Sequence, residues 1–406
     1  MIPLVDPAKR VAAVKKAVEG KLFPWFQAHR RAFPWRIRRT PYRVWISELM
    51  LQQTRTDQAV PYYERFLRRF PTVESLARAS LRDVLKVWEG LGYYSRARNA
   101  HRAAQTIVAQ HDGRFPRTFQ ELLTLPGIGA YTAAAVGSLA MGLDLAVVDG
   151  NVMRVLSRLM AYGEEIASGT ARKQLDQWAR ELLVPGKAGL GNEALMELGA
   201  VCCTPRNPRC GVCPMAKVCT AREEGAPEKY PVKKGKKRVP HKIVGAGVVI
   251  RRDGRILIAQ RRETSMLGGL WEFPGGTLEP GETMPECIAR ELKEEMDIGI
   301  EVGPLLTVVH HAYSHFTIDL HAHWARVVRG RPKTIHCADF AWVSVKEMKK
   351  YPFSRADLHI IDALKSSNVW KKRRPIFQSL EKSGGDGVRQ AHPSTRRPPK
   401  EHSRRT

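Results

Sequence analysis

No stretch of the 406 residues approaches the roughly 18–20 consecutive apolar residues needed to span a bilayer, which excludes a helical membrane span. Acidic side chains are scarce, 40 Asp and Glu against 67 Lys and Arg, for a formal net charge of +27. That imbalance predicts a polyanionic partner, nucleic acid first and an anionic membrane surface second. Cysteine is scarce outside one cluster: of seven, only Cys287 and Cys337 lie beyond residues 202–219. With no secretory signal at the N-terminus, a reducing, cytoplasmic compartment is expected and a disulfide framework is the poor reading. There is no internal repeat. Part of the basic charge is uninformative. Residues 222–242 carry eight basic and three acidic side chains, and residues 370–406 carry eleven and three. Both read as solvated segments that bind phosphate without sequence preference.

What the chain does have is Cys203, Cys210, Cys213 and Cys219, spaced C-x6-C-x2-C-x5-C. Four thiolates in so short a stretch can hold an iron–sulfur cluster or a zinc ion, and spacing alone leaves the two open. Cys202, beside them, reads as a buried neighbour. Residues 8–220 show apolar periodicity of a helix over 43–70, 74–89, 97–110, 130–141, 151–161 and 171–183. Residues 223–241, with three prolines and several lysines, read as a basic linker. Beyond it the pattern becomes α+β over 242–367. Strands are expected at 243–250 and 256–259, joined as a hairpin by Arg252-Asp253-Gly254, and near 305–311, 316–327 and 339–344. Helices are expected at 284–296 and 355–365. Residues 368–406 read as a basic disordered tail.

Thr118-x-x-Glu121 is a capping box leading into Leu125-Pro126-Gly127-Ile128-Gly129-Ala130-Tyr131. Gly127 and Gly129 permit a tight turn between helices that aims backbone N–H groups at a phosphate; an ordinary helix connection is the plain alternative. Asp149, in Val148-Asp149-Gly150-Asn151, ends an apolar run and can cap the next helix or stabilise positive charge developing on a sugar. Glu48 lies in Trp45-Ile46-Ser47-Glu48-Leu49-Met50-Leu51-Gln52-Gln53-Thr54, almost surrounded by apolar residues. Burial there would raise its pKa. One carboxyl held protonated beside one held ionised is the division of labour for glycosidic cleavage.

Five stretches resemble the MutY-type adenine DNA glycosylases of the endonuclease III superfamily: Trp45–Thr54, Trp88-Glu89-Gly90-Leu91-Gly92-Tyr93-Tyr94-Ser95-Arg96, the glycine-rich hairpin, Val148–Arg154 and the cysteine loop. The resemblance implies an all-α helix–hairpin–helix domain (residues 1–222) whose four cysteines hold a [4Fe–4S] cluster. It implies that Glu48 protonates the adenine base, that Asp149 stabilises or traps the sugar cation, and that Tyr131 and Asn151 orient the site. Gln53 and Tyr93 would wedge into the duplex, and Gly127 and Gly129 would grip its backbone. Bifunctional relatives carry a lysine nucleophile where Tyr131 stands, and no lysine occurs between Arg117 and Lys173. Chemistry is therefore expected to stop at base release.

In the second domain Gly276-x5-Glu282-x7-Arg290-Glu291-Leu292-Lys293-Glu294-Glu295-Met296-Asp297-Ile298 resembles a Nudix box, with Asp297 in place of the usual glycine. Glu291, Glu294 and Glu295 share a helical face that could bind Mg²⁺ and a diphosphate; the competing reading is a scaffold helix. His310, His311 and His315 follow no zinc-ligand spacing. Tyr313-Ser314-His315 resembles the Phe-Ser-His loop with which the family reads 8-oxoguanine. The expected function is removal of adenine mispaired with 8-oxoguanine or guanine, by a monomer with duplex DNA as partner and no membrane. A Nudix nucleotide hydrolase and a non-catalytic iron–sulfur DNA-binding protein are the competing classes.

Overall fold

A computed structural model describes residues 7–235 and 239–367. The helical part comprises α1 (Pro7–Ala17), α2 (Phe23–His29), α3 (Pro34–Ile37), α4 (Pro41–Leu51), α5 (Thr56–Arg69), α6 (Val73–Ala77), α7 (Leu81–Trp88) and α8 (Ser95–His111). It continues with α9 (Phe119–Leu123), α10 (Ala130–Ala140), α11 (Gly150–Leu159), α12 (Gly169–Glu181), α13 (Ala188–Val201) and α14 (Thr220–Glu223). Two stretches with continuous helical periodicity are each broken. Residues 43–70 divide at a turn where Gln53 takes φ +56°. Residues 74–89 divide at Ser80, whose hydroxyl accepts from Asp83 N at 3.1 Å and restarts the helix as an N-cap. The periodicity does not announce α13, because three glycines dilute its apolar stripe and lower its helix propensity.

Two large apolar cores form in the helical part. One gathers α4 to α10 around Trp45, Tyr63, Phe66 and Trp88. The other joins α1, α2 and α11 to α13 and backs onto the cysteine loop. The basic linker starts later than its composition suggests. Tyr230 is buried, its carbonyl accepts from Arg158 Nε at 3.0 Å, and Ile166 N donates to Val232 O at 3.0 Å. Residues 222–232 thus belong to the helical unit, since an aromatic ring can anchor a segment whose other residues are charged.

The second unit holds two sheets. β1 (His241–Val249), β4 (Gly275–Thr277), β5 (Gly299–Ala312) and β6 (Thr317–Arg329) form one, in the order β4-β1-β6-β5. β2 (Ile256–Arg261), β3 (Trp271–Glu272) and β7 (Cys337–Val343) form the other, in the order β3-β2-β7. The expected hairpin of β1 with β2 is not made. Arg251 to Arg255 do turn tightly, with Arg251 N donating to Arg255 O at 2.8 Å, but pairing stops at the single bridge Ile250–Ile256. β1 runs parallel to β6 instead, from His241–Thr317 to Val249–Ala325. A turn is specified locally, whereas strand partners are chosen by which faces must be buried. α15 (Met284–Met296) packs Ile288 and Leu292 against Gly245 and Gly247 of β1. α16 (Arg355–Ser367) covers the opposite core through Ile360 and Leu364. The expected tail, 368–406, lies outside the described residues.

Candidate active site and cluster loop

Thr40 caps α4 by accepting from Arg43 N at 3.3 Å, with Pro41 at the first helical position, where a missing N–H costs nothing. The helix is buried nearly all round, so Glu48 is only 6 % exposed. Burial pushes its carboxyl up to about 7; a hydrogen bond from Tyr131 pulls back, and the charges of Asp149 and Glu193 add to the rise. Tyr131 Oη donates to Glu48 Oε2 at 2.7 Å. Tyr131 is the second residue of α10, directly after the hairpin. Gly127 there has φ +72°, and an added Cβ would stand 2.5 Å from Asn99 Cβ, so no other residue fits the turn. The capping box of Thr118 and Glu121 is formed at the start of α9. The hairpin thus delivers the phenol to Glu48.

Asp149 is the N-cap of α11: its Oδ1 accepts from Val152 N at 2.7 Å and its Oδ2 from Asn151 Nδ2 at 2.9 Å. Burial raises its pKa, while those two donors and Arg154 oppose the rise. The cap is thus made by a side chain that also lines the cavity beside Glu48. Glu48, Tyr131, Asp149 and Asn151 all line one cavity of about 530 Å³. Four residues chosen from three separate stretches of sequence converge there.

The same cavity is walled by residues the sequence reading missed. On α13, Glu193 and Glu197 are buried four residues apart. Arg36 Nε donates to Glu193 Oε1 at 3.0 Å and its Nη2 to Glu197 Oε2 at 2.9 Å. Arg31 Nε donates to Glu197 Oε1 at 2.7 Å, and Arg39 pairs with Glu193 at 2.8 Å. Burial would raise Glu197, but Arg31 and Arg36 hold it below the ordinary carboxylate value. Two acids four residues apart in an otherwise apolar stretch, and an arginine-rich segment upstream, were the available signal.

Gln53 and Tyr93 both have left-handed backbones, φ +56° and +49°, uncommon for residues with a side chain and concentrated at functional turns. One buried guanidinium ties the two turns together. Arg96 Nη1 donates to the carbonyls of Leu49 (2.6 Å), Met50 (3.0 Å) and Gln52 (2.6 Å). Its Nη2 donates to Gly92 O at 3.0 Å, and its plane lies 5.3 Å from the ring centroids of Trp88 and Tyr93. Desolvation lowers its pKa to about 10, so it stays charged at neutral pH.

Cys203, Cys210, Cys213 and Cys219 line one pocket, and the buried Cys202 lines it with them. Arg158, itself 2 % exposed, donates to Cys203 Sγ at 3.3 Å and to the carbonyls of Thr204 (2.7 Å) and Pro205 (3.2 Å). Among the described residues no three Cys, His, Asp or Glu side chains close on a point that could hold a single ion. Thiols spread round a shared pocket beside the buried guanidinium of Arg158 suit an anionic cluster better than one zinc. When bound, such a cluster cross-links the loop through its thiolates. Arg154 reaches from that loop to the amide of Asn151, donating to Cys203 O at 2.8 Å, Gly199 O at 2.7 Å and Asn151 Oδ1 at 2.8 Å.

In the second unit the turn after β5 carries Tyr313, Ser314 and His315. Ser314 and His315 are exposed, and Ser314 Oγ is hydrogen-bonded to Tyr93 Oη of the helical unit. Tyr313 is half-buried instead, 4.9 Å from Phe316 and 4.6 Å from His311 between ring centroids. The carboxylates of the Nudix-like helix do not form a cation site as they stand. Arg290 gathers them: its guanidinium lies 2.8 Å from Glu282, 3.1 Å from Glu291 and 3.4 Å from Glu294. Glu294 is exposed, and burial pushes Glu295 up to about 7. Asp297 supplies the left-handed C-cap of α15 with φ +54°, and hydrogen bonds from Lys293 and Lys333 hold its pKa down at about 2.

Three family profiles match the chain. The HhH-GPD superfamily of base excision DNA repair proteins covers residues 46–181, the iron–sulfur binding domain of endonuclease III covers 203–222, and the NUDIX domain covers 245–363. The human adenine DNA glycosylase is 33% identical over 86% of this chain and 74% of its own length. The chain belongs to the adenine DNA glycosylases. The adenine DNA glycosylase of Buchnera aphidicola subsp. Schizaphis graminum is 36% identical over 73% of this chain and 84% of its own. Among solved structures, a thermostable thymine-DNA glycosylase covers 53% of this chain and 98% of its own, with 30% identity and a TM-score of 0.47. As an adenine DNA glycosylase, the protein is a base excision repair enzyme with DNA as substrate and an iron–sulfur cluster as cofactor. Among the described residues no helix is long and apolar enough to cross a membrane.

Proposed function

We propose that this glycosylase releases adenine mispaired with 8-oxoguanine or guanine in duplex DNA, and that its chemistry stops at the abasic site. The observation that carries the reading is the contact of Tyr93 with Ser314. It sets a polar, exposed turn of the second unit beside the residue that would enter the duplex at the mispair. Ser314 and His315 can then hydrogen-bond the edge of the base opposite the adenine while the adenine is flipped toward Glu48. Glu48, protonated near neutral pH, gives its proton to the departing base. Asp149 stabilises the sugar cation until water adds and the N-glycosidic bond is replaced by a hydroxyl. Tyr131 holds Glu48 by hydrogen bond and offers no amine, so no Schiff base forms there. The cysteine loop would hold a four-iron cluster. For the Nudix-like helix, the capture of its carboxylates by Arg290 favours the scaffold reading.

The test uses duplexes with adenine opposite 8-oxoguanine, guanine, cytosine or thymine, and full-length protein with and without Ser314→Ala and His315→Ala. Preference for 8-oxoguanine that the paired alanines diminish, with strands intact until alkali is added, is the expected result. Equal release opposite all four bases, or a borohydride-trapped covalent adduct, would refute it.

A further inference from the structure

The two folded units meet through a built joint. Leu270 of the second unit is fully buried inside the core of the helical unit. Around it, polar bonds converge on the segment that ends α7 and begins α8. Lys86 Nζ is paired with Glu89 Oε2 at 2.7 Å and also donates to Tyr351 O at 2.9 Å. The other oxygen of Glu89 accepts from Phe353 N at 2.8 Å. Tyr94 Oη accepts from Gly90 N at 3.0 Å and donates to Phe353 O at 3.2 Å. Arg98 Nη1 donates to Gly268 O at 2.8 Å. The backbone of one residue, Phe353, is therefore held at both its N–H and its C=O, by the two ends of the turn that carries Tyr93.

Phe353 is placed to pass that constraint on. Its ring is fully buried in the second unit's core, it bridges Trp271, and Ser354 follows as the residue from which α16 springs. α16 packs on β5, and β5 ends at the turn bearing Ser314. Leu270 alone could weld the units together. A half-buried ion pair adds little net attraction, because desolvation offsets it. What it adds is direction: each carboxylate oxygen and the ammonium accept only one placement of the 351–353 backbone.

We propose that Glu89, oriented by Lys86, is a positioning residue for reading the base opposite the adenine: it sets the spacing between the turn that carries Tyr93 and the turn that carries Ser314. This rests on the role given to Ser314 above. The experiment uses full-length Glu89→Ala, Glu89→Gln and Lys86→Met. It measures single-turnover adenine release opposite 8-oxoguanine and opposite guanine, and hydrogen exchange of the 351–353 amides. In Glu89→Ala the preference for 8-oxoguanine should fall about tenfold, the usual effect of losing a hydrogen bond to a charged group. Release opposite guanine should be unchanged, and the Phe353 amide should exchange faster. Glu89→Gln keeps an acceptor for that amide and should fall between. Lys86→Met leaves the acceptor in place without its partner and should shift preference in the same direction. A preference that survives intact in both Glu89→Ala and Lys86→Met overturns the inference. If the wild type has no preference between opposite bases, the lesion-reading role of Ser314 fails instead. The exchange result then decides the joint alone: unchanged protection at Phe353 in Glu89→Ala refutes it, and faster exchange upholds Glu89 as what holds that backbone.

Discussion

Glu48→Gln should cripple the enzyme and stabilise it at the same time, the second effect growing as pH rises from about 4.5 to about 7 and persisting above. The carboxyl of Glu48 is 6 % exposed and its pKa is pushed from an ordinary 4.5 to about 7, chiefly by burial. At about 1.4 kcal/mol per pH unit, that interval is worth about 3 kcal/mol. The sign follows from proton binding. Between pH 4.5 and 7 the folded protein keeps a proton that the unfolded chain releases, so stability is full below the lower value and is lost as pH rises through the upper one. Glutamine has no charge to bury and can still accept from Tyr131 Oη, so the variant is spared that loss. Its melting temperature relative to wild type should therefore climb between pH 5 and pH 8.5. About 3 kcal/mol in a unit of this size corresponds to roughly 5–10 °C. Adenine release should fall about 10²–10⁴-fold, the usual cost of a positioned acid, and the wild-type rate should itself decline above pH 7. Thermal unfolding across pH, paired with single-turnover release, measures both. The same difference in melting temperature at pH 5 and pH 8.5, or near-normal release, would refute the assignment.

Asp149→Asn keeps an oxygen for Val152 N and so keeps the N-cap of α11; it should melt near wild type while base release is severely impaired, and comparable losses in both would make the residue structural. Cys210→Ser should yield protein with diminished iron and visible absorbance and weaker affinity for duplex DNA, measured by metal analysis and binding titration; stoichiometric zinc in the wild type after anaerobic purification would contradict an iron–sulfur loop. Arg96→Lys replaces a planar fork that reaches five carbonyls with a single ammonium. It should lower stability by about 2 kcal/mol and weaken binding to mispaired duplex, and a variant indistinguishable from wild type in unfolding and binding would remove Arg96 from the positioning of Gln53 and Tyr93.

Much is legible in the sequence, because several features are local. The capping box of Thr118 and Glu121, the glycine turn at Gly127, the N-cap at Asp149, the cysteine loop and the extent of α15 all depend on residues within a few positions of one another. The burial of Glu48 was legible too, since its neighbours on every side are apolar. Other features needed long-range contacts. The turn at Arg252–Gly254 formed as its composition demands, yet β1 left it to pair with β6, because burial of two faces outweighs proximity in sequence. Residues 222–232 carried the composition of a linker but fold against α11 through Tyr230 and Arg158. Tyr313, a candidate for stacking in DNA, packs largely against its own domain. Chemistry and parts list were thus determined by sequence alone, because they reside in side-chain types at short spacing. Tertiary structure decided which distant groups share an environment: Glu193 raising Glu48, Arg96 joining two turns, Arg154 spanning from Asn151 to the cysteine loop, and Glu89 holding Phe353. Those pairings lie tens to hundreds of residues apart, and only the packed chain brings them within the few ångströms over which desolvation and hydrogen bonding act.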